Sequence, residues 1–149
     1  MTKYKITFGT FPGEEHIVEV DEPTTDYGAL IDILIDRLEA EGRKDCFRDP
    51  DDIKELGGDV YEDEYVIGGN HGLLLYHGGN LIIHQVWEVE CVKSFVEDTR
   101  EYWTEGNKYL LEQIYKDDDY YYLQHNFGGI GCISGTEEFK EYFKMSDAA

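Results

Sequence analysis

Near the N-terminus, Tyr4, Ile6 and Phe8 alternate with Lys5 and Thr7, and further on His16, Val18 and Val20 alternate with Ile17 and Glu19. A period of two marks a strand that buries one face. Thr10, Phe11, Pro12 and Gly13 separate the two runs, so 3–9 and 15–20 are expected to pair as a hairpin, the second strand ending at Asp21-Glu22-Pro23. Over 25–41 the period becomes helical, with Tyr27, Leu30, Ile31, Leu34 and Leu38 on one stripe, Asp32, Asp36 and Glu39 largely off it, and Gly42 suited to a left-handed cap.

Asp49-Pro50 offers a cap and a first helical residue, which predicts a short helix over 50–56 closed by Gly57-Gly58. Tyr61, Tyr65 and Ile67 alternate with acids and predict one strand over 60–67. Gly68-Gly69-Asn70 then returns as Gly78-Gly79-Asn80, and each introduces a short apolar run, 73–77 and 81–87. The glycines permit the positive φ of a tight reversal, so these runs are expected to pair as a second hairpin at the centre of the sheet.

Ser94 stands at capping-box distance from Glu97, and Phe95, Val96, Thr99, Tyr102 and Trp103 share a helical face, which predicts a helix over 95–105. The run 108–116 fits either period, but the aromatic-rich run 120–127 favours two strands joined by an Asp117-Asp118-Asp119 loop. A glycine-rich passage over 128–135 leads to a closing helix over 136–144, with Phe139, Tyr142 and Phe143 inward and 146–149 frayed. No Pro-rich, Ser-rich or low-complexity linker interrupts the chain. The expectation is one α+β domain over 1–149: a mainly antiparallel sheet of about 6–7 strands around a glycine-rich meander, with two to four helices on it.

Composition supports a folded chain. With 149 residues, 41% of them hydrophobic and 14% aromatic, it has the material for a core. Charge changes the picture most: 13 Lys and Arg stand against 33 Asp and Glu, a formal net charge of −20. That field repels nucleic acid and anionic membrane surfaces, which excludes direct binding to either. The three cysteines, Cys46, Cys91 and Cys132, are far apart and form no C-x-x-C pair, as expected of reduced thiols in the cytoplasm. The N-terminal run lacks the apolar core of a signal peptide, and no run reaches the roughly 18 apolar residues of a membrane span.

Candidate chemistry is sparse. His71, His77 and His84 fall in the central hairpin, but the two-residue-turn register sets His77 about 13 Å along the sheet from His84, too far to share a zinc. His71 and His84 could share one only with a carboxylate, and no H-E-x-x-H or cysteine pair supports a metal site. Cys132 in its glycine-rich passage could act with His125 as a Cys/His pair, although a Cys near a His is common by chance. The same passage lacks the G-K-[ST] of a phosphate-binding loop. Acid runs at Asp49, Asp51 and Asp52 and at 117–119 do not follow the calcium-loop pattern. No cofactor is expected.

The twelve tyrosines suggest another use. Aromatic side chains among carboxylates suit a protein-binding surface, in which acids steer a basic partner and aromatic residues anchor it. The expected contact residues are Glu62, Asp63, Glu64, Glu97, Asp98, Glu101, Asp117, Asp118, Asp119, Tyr120 and Tyr121. In general character the chain is similar to small acidic inhibitors of restriction enzymes, CRISPR nucleases and toxin nucleases, although no motif assigns it to a family. That likeness implies a non-enzymatic DNA mimic whose partner is a basic, nucleic-acid-binding enzyme. The alternatives are a structural or regulatory interaction module, and an enzyme built on Cys132 and His125 or on a His71/His84 metal.

Overall fold

The structure, a computed structural model, describes residues 1–9, 14–43, 59–61, 64–67, 80–115 and 119–146. Among the described residues the main sheet has nine strands, β1 (Thr2–Gly9), β2 (Glu14–Val20), β3 (Asp59–Tyr61), β4 (Glu64–Ile67), β5 (Asn80–Cys91), β8 (Lys108–Tyr115), β9 (Tyr120–Gln124), β10 (Ile130–Ser134) and β11 (Phe143–Met145). Their hydrogen-bonded order is β10-β9-β8-β5-β1-β2; β4 and β11 also pair with β5, and β3 pairs with β4. β6 (Phe95–Glu97) and β7 (Arg100–Trp103) form a separate two-stranded sheet. The described helices are α1 (Tyr27–Ala40) and α2 (Thr136–Tyr142). The pairs β1–β2, β3–β4, β4–β5, β5–β8, β5–β11, β6–β7, β8–β9 and β9–β10 are all antiparallel, so the α+β expectation holds with more strands than foreseen.

The chain divides into two compact units, Thr2–Gln85 and Val86–Ala149 with Met1, and β5 contributes to both. In the first, β1 and β2 form the expected hairpin, running from Thr2 opposite Val20 to Phe8 opposite Glu14. Alternation buries Tyr4, Ile6, Phe8 and Val18 on one face. Asp26 caps α1 by accepting from the Ala29 N–H at 3.1 Å. The stripe Leu30, Ile31, Leu34, Ile35 and Leu38 is buried. At its end Gly42 adopts φ 78°, and the N–H groups of Gly42 and Arg43 reach back to the Glu39 and Leu38 carbonyls in a Schellman motif. The Arg37 guanidinium donates to the Ile17 carbonyl at 2.7 Å, and the Tyr4 hydroxyl bonds both backbone groups of Thr24.

The strand expected over 60–67 is instead two strands, β3 and β4, with Val60 opposite Tyr65. Alternation alone cannot tell one strand from a hairpin, and here Tyr61 stands opposite Glu64. Residues 81–84 pair with β4, from Leu81 opposite Ile67 to His84 opposite Glu64. The expected partner run 73–77, its glycine turns and the expected 50–56 helix lie outside the described residues.

In the second unit, β5, β8 and β9 pair in succession, and the expected β8–β9 hairpin closes with Tyr115 opposite Tyr120. Three expectations fail. The helix over 95–105 is the β6–β7 hairpin, with a two-residue turn in which Asp98 (φ 52°) and Thr99 (φ 64°) are both left-handed. Its β-branched and aromatic residues favour strand, and Ser94 Oγ accepts from the Glu105 N–H across the hairpin instead of capping a helix. The passage expected as a glycine-rich loop over 128–135 contains β10, and the closing helix stops at Tyr142, where the chain turns into β11 and pairs with β5. Gly131 belongs in a strand here because a Cβ at that position would stand 2.7 Å from the Trp103 ring. Phe139 and Phe143 are buried as expected, and Tyr142 is half-buried. Ser146 still donates its N–H to the Glu88 carbonyl, within the tail expected to fray. Among the described residues no helix is long and apolar enough to cross a membrane.

Candidate protein-binding surface

The β6–β7 hairpin carries three of the expected contact residues. Glu97, Asp98 and Glu101 are all exposed, at or beside its turn, with Arg100 opposite Glu97. Acids in and beside a left-handed turn place carboxylates in solvent, where their charge extends outward with little desolvation cost.

The hairpin base is held by rings. Phe95 meets Trp103 edge-on at 5.1 Å and Tyr142 at 5.0 Å, and Trp103 meets Phe143 at 5.5 Å. The Trp103 indole N–H donates to the Gln124 carbonyl at 2.9 Å. Such offset and edge-on pairs add about 0.5–1.5 kcal/mol each beyond area burial.

Asn126 ties the turn after β9 to the same hairpin. Its N–H donates to the Tyr102 carbonyl, and its amide donates to the Glu101 carbonyl and to Thr104 Oγ1. The Tyr109 hydroxyl donates to Asn126 Oδ1 at 2.7 Å and accepts from the Thr104 N–H at 2.8 Å. Thr104 Oγ1 in turn donates to the Glu101 carboxylate. A network in which each polar group has partners rigidifies what it joins.

On this base stands an exposed ring. Phe127 is 57% exposed, lies edge-on to Tyr102 at 5.5 Å, and is covered on one face by Arg100 at 5.9 Å. Tyr102 also meets the His125 ring at 5.2 Å. Val96, opposite Glu101, is 60% exposed. Sequence reasoning missed both apolar residues. A Phe between Asn126 and Gly128-Gly129 was legible as a turn residue, and hence as an exposed one, once a strand rather than a loop followed it.

The other expected contact residues are spread out. Asp119 (φ 52°) and Tyr120 are exposed at the β8–β9 turn. Tyr121 turns inward instead, stacked on Phe139 at 4.2 Å, with its hydroxyl 3.1 Å from Thr136 Oγ1. Glu64 is half-buried in the other unit. Glu62, Asp63, Asp117 and Asp118 lie outside the described residues.

Of the enzymatic alternatives, the Cys132 and His125 pair is not brought together. A Cβ on Gly131 would point at the His125 and Trp103 rings, so alternation turns Cys132 to the opposite face of β10 from His125. His125 Nδ1 accepts from the Phe127 N–H at 3.1 Å, a bond that shapes the turn. Cys91 is buried, its thiol donating to the Lys93 carbonyl, and burial pushes its pKa up. His84 Nδ1 lies 3.3 Å from the Gln85 carbonyl, and His71 and His77 lie outside the described residues. Among the described residues no group of three or more His, Cys, Asp and Glu is placed to hold a metal ion. Compared with known proteins, the chain matches no family model, no curated protein and no solved structure.

Proposed function

We propose that the protein is an acidic, non-enzymatic inhibitor that binds the cationic groove of a nucleic-acid-binding enzyme in the cytoplasm, its carboxylates taking the place of a phosphate backbone. The observation that carries this reading is the β6–β7 hairpin, where the exposed Glu97, Asp98 and Glu101 sit on a ribbon fixed by Asn126, whose Arg100 and Tyr102 contact the exposed Phe127. A DNA mimic needs fixed charges, because each mobile carboxylate would lose conformational freedom on binding. It also needs an anchor, and an exposed aromatic ring is of the type that dominates binding hot spots. The formal net charge of −20 adds long-range steering towards a basic groove.

Capture of partners from a host lysate on the immobilised protein, at low and high salt and with duplex DNA as competitor, tests the reading. The expected result is a basic nucleic-acid-binding protein retained at low salt and displaced by both salt and DNA. A partner that ignores DNA contradicts it.

A further inference from the structure

β10 is an outer strand of the main sheet, paired along one side with β9. Which of its backbone groups face β9 follows from the flanking bonds. The His125 N–H donates to the Gly129 carbonyl, and the Gly135 N–H donates to the Asp119 carbonyl. Alternation along an antiparallel ladder then turns the N–H and C=O of Gly131 and Ile133 towards β9, and those of Ile130, Cys132 and Ser134 away from it. Among the described residues these outward groups take no hydrogen-bond partner. The side chains of the same three residues are exposed, Ile130 at 55%.

Proteins protect such edges with charge, proline or a cover. β2, the opposite end of the strand order, follows that rule: Glu15 and Glu19 are exposed along it, Glu14 pairs with Arg43, and Arg37 occupies the Ile17 carbonyl. Among the described residues none of these devices protects β10. From Tyr120 to Thr136, through β9 and β10, the chain has no Asp, Glu, Lys or Arg.

We propose that this open edge pairs antiparallel with β10 of a second copy of the chain, joining two sheets across a twofold axis at Cys132. The charge distribution selects that occupant. A basic partner gains nothing from a strip without acids, whereas a second copy carrying a net charge of −20 is repelled from carboxylate-covered surfaces and can approach closely only where both surfaces are neutral. The edge is also self-complementary. Centred on Cys132, the outward groups of Cys132 meet those of Cys132 in the second copy, while Ile130 faces Ser134 in both directions. Antiparallel pairing sets the exposed Glu137 and Glu138 of the two copies at opposite ends of the joined strands.

Sedimentation velocity of the full chain over a concentration series tests this. The wild-type chain is expected to form a dimer that strengthens as salt rises, because screening removes repulsion between like-charged copies. Cys132→Glu places two carboxylates opposite each other on the axis and is expected to weaken the dimer on the order of tenfold or more, with the far-UV circular dichroism unchanged. Cys132→Pro removes an outward donor without removing a bond to β9 and is expected to act the same way. In a Cys46→Ser background, a short bifunctional maleimide is expected to join the two copies through Cys132. A wild-type chain that stays monomeric overturns the proposal, and that is also the outcome if a strand from another protein is what fills the edge. A dimer that survives Cys132→Glu, or is not joined through Cys132, overturns it too.

Discussion

The two units bury different chemistry. The core of Thr2–Gln85 is mostly aliphatic, with Ile6, Val18, Leu30, Ile31, Leu34, Leu38, Leu81 and Ile83 essentially inaccessible between α1 and the strands. The core of Val86–Ala149 is built around Trp103, Phe139 and Phe143, with Trp87, Phe95, Tyr102, Tyr109, Tyr121 and Tyr142 packed against it. Aliphatic packing is non-directional and follows helix and strand periodicity. Ring packing depends on edge-to-face geometry and brings together residues from short hairpins and turns. The aromatic unit therefore holds its hairpin and turn in fixed positions, and this is where the candidate binding surface lies.

Core truncations should break this contrast most sharply. Trp103→Ala removes the ring that Phe95 and Phe143 contact and is expected to cost about 3–5 kcal/mol, while Leu34→Ala in α1 costs about 2–5 kcal/mol; urea unfolding measures both. Both tryptophans belong to the aromatic unit, so fluorescence reads that unit and helical circular dichroism reads mainly α1. Gly131→Ala is expected to cost about 1–3 kcal/mol, because its Cβ would press on the Trp103 ring. Comparable losses are unexpected at Gly42, where no atom lies within 4 Å, beyond the strain of its positive φ.

Backbone devices come next and differ in sign between the units. Asp26→Ala removes the N-cap of α1 and is expected to cost about 1 kcal/mol. Thr99→Gly is expected to stabilise by up to about 1 kcal/mol, since a β-branched residue at φ 64° is strained and glycine is not. Thermal unfolding of the two variants reads the opposite signs.

The smallest effect concerns pH. Bonding to the Arg43 guanidinium lowers the Glu14 carboxyl pKa from 4.5 to about 2. The folded pKa is the lower one, so the contribution is complete above the ordinary carboxylate value and is lost as pH falls from 4.5 towards 2. Because the pair is solvent-exposed, Glu14→Gln is expected to cost under about 1 kcal/mol at neutral pH and nothing at the acid end of that window.

Sequence legibility follows the same division. The first hairpin and α1 were readable because Tyr4, Ile6 and Phe8 keep a clean period of two and Leu30, Leu34 and Leu38 a clean helical one. In the aromatic unit, Phe95, Val96, Thr99, Tyr102 and Trp103 fit a helical face by spacing while forming a hairpin, because two short strands around a two-residue turn place similar positions together. The turn gave no glycine signal, since Asp98 and Thr99 carry its positive φ angles. β10 was hidden by glycines that read as loop, although Gly131 is there to admit a ring. Of the expected contact residues, the acids at 97, 98 and 101 do share one hairpin, whereas Tyr121 faces the core and the exposed ring of Phe127 was not foreseen.

The central claim is that the hairpin acids recognise a basic groove, and it is tested most directly on the captured complex by measuring Kd against salt for the wild-type chain and for Glu97→Lys with Glu101→Lys. Wild-type binding is expected to weaken steeply with salt, and the double variant to bind at least about tenfold more weakly with a shallower slope. A wild-type Kd that does not change with salt, or a double variant that binds as the wild type does, would contradict it.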